Sequence, residues 1–191
     1  DRPVWSEQYN REVVDIFALQ NEVAREIADA VSATVTPAEL EQIDKKPTDN
    51  LLAYDYYLQG LDLLYGRTRE GIEQAIQLFE KAIELDPQFS LAYANISISY
   101  YFLDEYQKQK QNTEQINTYA DKALLYDSKS AESLMAKALY YIHIGEFNLA
   151  VPHLEKALEY NPNSSGVVQM LGDLYARAIP NTGKYLQYAL K

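Results

Sequence analysis

The two histidines, His143 and His153, are the side chains of this sequence best suited to acid–base or metal chemistry. Neither belongs to a His-Glu-x-x-His pair, and neither has a carboxylate at a distinctive metal-ligand spacing. Cysteine is absent, which excludes thiolate nucleophiles and thiolate metal sites. Gly-rich phosphate-binding motifs and the Gly-x-Ser-x-Gly nucleophile motif are also absent. We therefore expect no catalytic residue, no metal site and no cofactor, and we interpret both histidines as hydrogen-bonded or solvent-facing.

The charge balance restricts the class of partner. The 191 residues include 28 acidic and 17 basic side chains, which gives a net charge of −11. This charge repels phosphate backbones and anionic lipid, so nucleic acid is not expected as a partner. No apolar run is long enough to span a membrane. We predict a cytoplasmic location, with the periplasmic face of a membrane-anchored parent protein as the alternative.

An internal repeat supplies the elements that would position a site. Seven residues around Pro87 recur with the same gaps around Pro162, and a third copy has Ser128 in place of the proline. Ser128 and Pro162 are 34 residues apart, whereas Pro87 and Ser128 are 41 apart, so the period is 34 with a seven-residue insertion. The insertion falls within polar residues 104–115. In chain order the three copies read Phe79, Ala82, Pro87, Tyr93, Ile96, Ser97, Tyr100; Ala120, Ala123, Ser128, Leu134, Lys137, Ala138, Tyr141; and Leu154, Ala157, Pro162, Val168, Leu171, Gly172, Tyr175.

The residue types within each copy predict a pair of packed helices. Small residues at one position, Gly60, Ser97, Ala138 and Gly172, would let the two helices approach closely. The proline ends the second helix, because it lacks an amide N–H and pushes the preceding residue out of the α region. A single pair cannot bury its apolar face, so we expect stacked pairs and an all-α fold.

A 34-residue period of two helices and a turn resembles the tetratricopeptide repeat. The resemblance implies a right-handed superhelix within residues 51–191, with copies at about 53–89, 90–130 and 131–164 and a partial copy at 165–191. A helical bundle without repeats is the alternative. In residues 131–164 the family's signature positions hold Leu134, Ala138, Tyr141, Gly145, Phe147, Ala150, Leu154, Ala157 and Pro162, while Lys137 replaces the usual leucine.

Residues 1–50 lie outside the repeat. Apolar spacing predicts an amphipathic helix over about 15–35, and Thr36-Pro37 and Lys46-Pro47 predict a linker. This segment also resembles the end of the TolB-like amino-terminal domain, which precedes such repeats in bacterial adenylate cyclase-like and transcription-regulator proteins. That resemblance implies a bacterial signalling protein of several domains, and it rests on Trp5, Tyr9, Asp15-Ile16-Phe17 and Gln20. We expect the helix to dock within its own chain, with a symmetric homodimer as the alternative.

The tetratricopeptide resemblance also implies a concave groove lined by the first helix of each pair. The groove positions are Tyr57, Leu61, Tyr65, Ala94, Ile98, Tyr101, Phe102, Met135, Leu139, Ile142, His143, Gln169, Asp173 and Arg177. Most are apolar or aromatic, which favours an amphipathic segment of a protein or peptide, or of the chain's own flanking domain. Of the family's carboxylate-clamp positions only Asn95 is suitable, so an acidic-tail ligand is not expected. The alternative role of these side chains is only to pack against neighbouring repeats or against the chain's own first helix.

These observations favour a non-enzymatic scaffold that mediates protein–protein or interdomain interaction. The alternative is a sensory or regulatory module of a larger bacterial adenylate cyclase-like or transcriptional-regulator polypeptide.

Overall fold

The computed structural model describes residues 16–30, 45–107 and 109–190. The chain divides into two units, residues 1–46 and 47–191. In the first unit the described element is helix α1, Ile16–Ala30, which lies within the helix predicted over 15–35. Trp5, Tyr9 and Asp15, the rest of that predicted helix and most of the predicted linker lie outside the described residues. The TolB-like resemblance therefore stays a prediction.

The second unit is a series of helical pairs. Its described residues contain no strand, and the prediction of an all-α fold of stacked tetratricopeptide repeats is confirmed. None of the described helices is both long and apolar enough to cross a membrane. The helices are α2 (Leu51–Tyr65), α3 (Arg69–Leu85), α4 (Ser90–Glu105), α5 (Thr113–Tyr126), α6 (Ala131–His143), α7 (Phe147–Tyr160), α8 (Ser165–Asp173), a π-helical turn (Leu174–Ala178) and α9 (Thr182–Ala189).

Local signals explain where these helices begin and end. Asn50, Thr68 and Ser130 precede α2, α3 and α6, and each side chain accepts an amide N–H from the first turn of its helix. Helix α3 ends at Leu85, directly before Asp86-Pro87, as a proline requires. Gly145 lies between α6 and α7 with a φ of 83°, a backbone conformation that glycine adopts without steric cost.

Repeat one, formed by α2 and α3, has the close helix contact that the small residue predicts. A Cβ atom added to Gly60 would lie 2.5 Å from the Phe79 ring, well inside van der Waals contact. The Phe79 ring is fully buried and packs 5.8 Å from the Tyr57 ring, centroid to centroid. The absence of a side chain at residue 60 is therefore what admits Phe79 between the two helices.

The fourth copy does not repeat this contact. At Gly172 an added Cβ would have no neighbour within 4 Å, so the predicted close approach is wrong at this position. The first helix widens into a π-helical turn, in which the Ile179 amide donates to the Leu174 carbonyl. Pro180 follows and disfavours a helical conformation of Ile179, so the first helix of this copy ends before residue 179.

Lys137, which stands where the family has leucine, links two repeats by polar contacts. Its side chain extends from α6 to α5, where the ammonium group lies 2.7 Å from Asn117 Oδ1 and 2.6 Å from Asp121 Oδ1. The residue is only 9% exposed, so its methylene groups fill the core position while its charge is paired. Lysine in place of leucine at this position therefore keeps α5 and α6 packed.

Candidate protein-binding groove

The predicted groove residues divide into three sets by burial. Five are buried, five are half-buried and four are exposed, and we name the buried set the floor of the predicted groove. The buried set is Tyr57, Ala94, Ile98, Leu139 and His143; the half-buried set is Leu61, Tyr101, Phe102, Met135 and Ile142; and the exposed set is Tyr65, Gln169, Asp173 and Arg177. We name the half-buried set the groove patch.

The groove patch connects three successive repeats. Phe102 of α4 packs against the core of repeat one and also against the core that joins repeats two and three. Met135 and Ile142 of α6 pack against the second of these cores. The Tyr101 and Phe102 rings meet edge to face with centroids 5.6 Å apart. Each side chain of the patch therefore packs against a buried core on one side, while part of it remains accessible to solvent.

A polar pair lies in the floor of the groove. The Asn95 amide nitrogen is 3.4 Å from the Tyr57 hydroxyl oxygen and donates to the Leu91 carbonyl at 2.9 Å. Burial and, second, the Glu132 carboxylate raise the pKa of Tyr57, so this hydroxyl stays protonated. Asn95 was the one position suited to a carboxylate clamp, and its amide already has partners within the chain.

Asp104, Thr113 and His143 meet at one edge of the groove, where α4 and α6 end and α5 begins. His143 Nε2 lies 3.2 Å from Asp104 Oδ2 and 3.0 Å from Thr113 Oγ1. His143 was predicted as a groove residue, whereas Asp104 was not predicted, because its only signal is an acidic side chain at the start of the polar insertion. These three residue types are also those of a nucleophilic triad.

The geometry of this cluster does not suit a triad. In a triad the carboxylate and the hydroxyl contact opposite nitrogens of the imidazole ring, whereas here both contact Nε2. The side chains of His143 and Asp104 are 3% and 2% exposed, which leaves a substrate no access. Burial and then the charge of Lys110 lower the pKa of His143, and the carboxylate of Asp104 opposes them. The ring is therefore a hydrogen-bonded structural group, as interpreted from the sequence.

Charged side chains border the groove patch. Glu105 follows Asp104 and is exposed, Glu132 is half-buried, and Asp173 pairs loosely with Arg177 at 3.8 Å. The Arg67 guanidinium lies 4.7 Å from the centre of the Phe102 ring, a cation–π distance. Among the described residues, no cluster of histidine and carboxylate side chains has the arrangement of a metal site. Side chains of both signs therefore lie near the apolar patch, with Glu105 and Glu132 on its helices and Arg67 over Phe102.

A face built by the first helices of stacked helical pairs defines a helical-repeat protein. The family model described as "Tetratricopeptide repeat" matches residues 72–89 and 131–164, so the chain contains tetratricopeptide repeats. Domains of this type typically mediate protein–protein interaction and are generally non-catalytic. The longer match coincides with α6 and α7, the copy that follows the signature most closely.

Two curated relatives share the repeat region. A protein named "Putative adenylate cyclase 3" of Rhizobium meliloti is 30% identical over 95 residues, which cover 50% of this chain and 16% of that protein. "Anaphase-promoting complex subunit 3" of Schizosaccharomyces pombe is 29% identical over 104 residues, which cover 54% of this chain and 15% of that protein. The matched part is therefore about one sixth of each relative's length.

Proposed function

We propose that this chain is a non-enzymatic scaffold whose groove patch binds an amphipathic segment of a partner protein. The observation that carries the proposal is the position of the patch. Five half-buried apolar side chains lie on the first helices of three consecutive repeats and rest on packed cores. A helix that presents apolar side chains at every third or fourth residue could place them along such a strip.

The border of the groove patch favours a partner with cationic flanks. Glu105 and Glu132 lie beside the patch on α4 and α6, and the chain as a whole carries a net charge of −11. Arginine or lysine residues beside the apolar face of a ligand would therefore speed association and fix its orientation. The internal bonds of Asn95 argue against capture of a carboxylate tail at the groove floor.

Peptide selection on the purified chain tests this proposal. From a displayed library of random peptides, we expect enrichment of sequences with apolar residues at helical spacing and flanking lysine or arginine. Tyr101→Ala and Met135→Ala should each weaken the binding of a selected peptide about tenfold, which corresponds to about 1.4 kcal/mol. Titration by calorimetry or fluorescence anisotropy measures the change.

Leu125→Ala is the matched control, because this apolar side chain is 76% exposed on α5, a second helix, outside the groove patch. Its substitution should leave peptide affinity unchanged. Enrichment of acidic carboxyl-terminal peptides, or loss of binding in Leu125→Ala alone, would contradict the proposal.

A second candidate function is a regulatory module of a larger signalling polypeptide. It is favoured by the likeness to the Rhizobium meliloti protein, in which the matched segment is a small part of a much longer chain. In that case the groove patch would hold a segment of the same polypeptide. Binding of a separately purified neighbouring domain, abolished by Tyr101→Ala, would distinguish this function from binding a separate partner.

A further inference from the structure

We propose that the insertion in repeat two is a strap that couples repeats one, two and three at the edge where the first helices end. Its described residues are 106–107 and 109–112, and we refer to them as the strap. From the sequence, this polar segment was equally compatible with a loop or a helix extension. The structure gives it anchors in each of the three repeats.

Asp104 anchors the strap within repeat two. Its carboxylate accepts the backbone amides of Gln111 at 3.1 Å and Asn112 at 3.0 Å, and the Asn112 side-chain amide at 2.5 Å. Hydrogen bonds to a buried carboxylate are among the stronger ones in proteins. They close the loop onto the end of α4 and fix the direction in which Tyr106 and Lys110 leave it.

The outer contacts of the strap reach the repeats on both sides. The Tyr106 hydroxyl donates to the backbone carbonyl of Arg67, two residues after the last residue of α2 in repeat one. The Lys110 ammonium donates to the carbonyl of His143, the last residue of α6 in repeat three. Carbonyls at a helix end lack intrahelical partners, and a cation there is favoured by the helix dipole. The strap therefore places two hydrogen-bond donors, the Tyr106 hydroxyl and the Lys110 ammonium group, against carbonyl oxygens at or near helix ends.

These contacts strengthen the interfaces expected of a repeat array. In stacked repeats, stability is approximately a sum of the stability of each repeat and the interface with its neighbour. The strap belongs to repeat two, so its outer contacts add to both of the interfaces that repeat two shares with its neighbours. Substitution of Tyr106 and Lys110, which both lie in repeat two, should therefore loosen the helix ends of repeats one and three.

Hydrogen exchange measured by mass spectrometry tests the strap. In a Tyr106→Phe/Lys110→Met double variant, we expect amides near residues 62–68 and 140–146 to exchange about fivefold faster than in the parent chain. Each single variant should accelerate exchange mainly at the end that it contacts. Circular dichroism would first establish that the helical content is unchanged.

A matched control removes the same groups elsewhere. Tyr185→Phe/Lys156→Met deletes one hydroxyl and one ammonium group from exposed positions on α9 and α7. This control should leave both helix ends unchanged. Faster exchange confined to residues 106–112 in the strap variant, or an equal response in the control, would overturn the proposal, since the strap would then be a loop attached to repeat two alone.

Discussion

Repeat one and the fourth copy carry glycine at the same position and use it differently. Gly60 faces the Phe79 ring so closely that a Cβ atom would overlap it, whereas the space beside Gly172 is open. Tyr188 lies one period of 34 residues after Leu154, which is the counterpart of Phe79 in repeat three, so Tyr188 is the counterpart of Phe79 in the fourth copy. Tyr188 is buried, but its ring stacks on Tyr175 with centroids 6.0 Å apart instead of filling the space beside the glycine.

The difference shows that the same residue type at the same repeat position does not by itself determine how closely the two helices pack there. Helix α3 of repeat one has 17 residues, whereas α9 of the fourth copy has eight, so α9 offers fewer side chains to hold the pair together. The π-helical turn before Pro180 also changes the direction of the side chains that follow Gly172. Tight packing needs a regular first helix and a long second helix as well as the small residue.

Among the variants that test this comparison, Gly60→Ala should have the largest effect on stability. The added Cβ would lie 2.5 Å from Phe79 Cε1 and 2.8 Å from Cδ1, so the ring or a helix must move. Overpacking of this kind costs about 1–3 kcal/mol, which should exceed any gain in helix propensity. Urea denaturation followed by circular dichroism measures the loss. An unchanged midpoint would mean that repeat one is no more tightly packed than the fourth copy.

The array itself was predictable from the sequence because its causes are local and repeated. The period of 34, the proline stops and the alternation of small and large residues each follow from a few side chains at fixed spacing. These features predicted the pairs α2–α3, α4–α5 and α6–α7. The role of Asp104 could not be predicted in this way, because it depends on where α4 ends, how the insertion turns and which end of α6 lies nearby.

The groove was predictable only in part, for the same physical reason. The spacing places Tyr57, Leu139 and Tyr101 on first helices, but it does not give their depth. In the structure Tyr57 and Leu139 are 7% and 6% exposed and belong to the floor, whereas Tyr101 is half-buried. Depth depends on the neighbouring repeat, and therefore on contacts between residues about 40 positions apart, such as Asn95 with Tyr57.

The stability of the middle repeats should depend on pH through His143, which connects repeats two and three. Its pKa is lowered from 6.5 by burial and by Lys110, with Asp104 opposing. Between the lowered folded value and 6.5, the unfolded chain binds more protons than the folded chain, so stability falls as the pH falls. Urea denaturation at pH 7.5 and 5.5 should show this loss in the parent chain.

The His143→Gln variant separates this contribution from those of the carboxylates. Glutamine retains an amide that can donate to Asp104 but does not titrate, so the variant should lose less stability than the parent chain over the same pH interval. An identical pH dependence in both chains would contradict the assignment.

Glu155→Gln tests whether polar contacts hold the fourth copy. Glu155 Oε1 lies 3.3 Å from Lys184 Nζ, 3.4 Å from the Tyr188 hydroxyl and 3.5 Å from the Tyr175 hydroxyl. These contacts are long, and both ends of the ion pair are about 40% exposed, so salt should weaken them. We expect faster hydrogen exchange in α9 of the variant and a weaker effect of added salt than in the parent chain. Unchanged exchange in α9 would show that these polar contacts do not hold the helix, which would leave apolar packing and ring stacking.

Gly172→Ala should have the smallest effect and the opposite sign to Gly60→Ala. Gly172 lies within α8, its φ is not positive, and an added Cβ would meet no atom within 4 Å. Alanine reduces the conformational entropy of the unfolded chain and favours the helix, so we expect a gain of up to about 1 kcal/mol. The same urea experiment measures it, with hydrogen exchange in α8 as the local measurement. A gain at Gly172 beside a loss at Gly60 would establish that the two glycines are retained under different constraints. A loss at both positions would mean that the fourth copy closes in solution to the packing of repeat one, with Tyr188 in the place of Phe79.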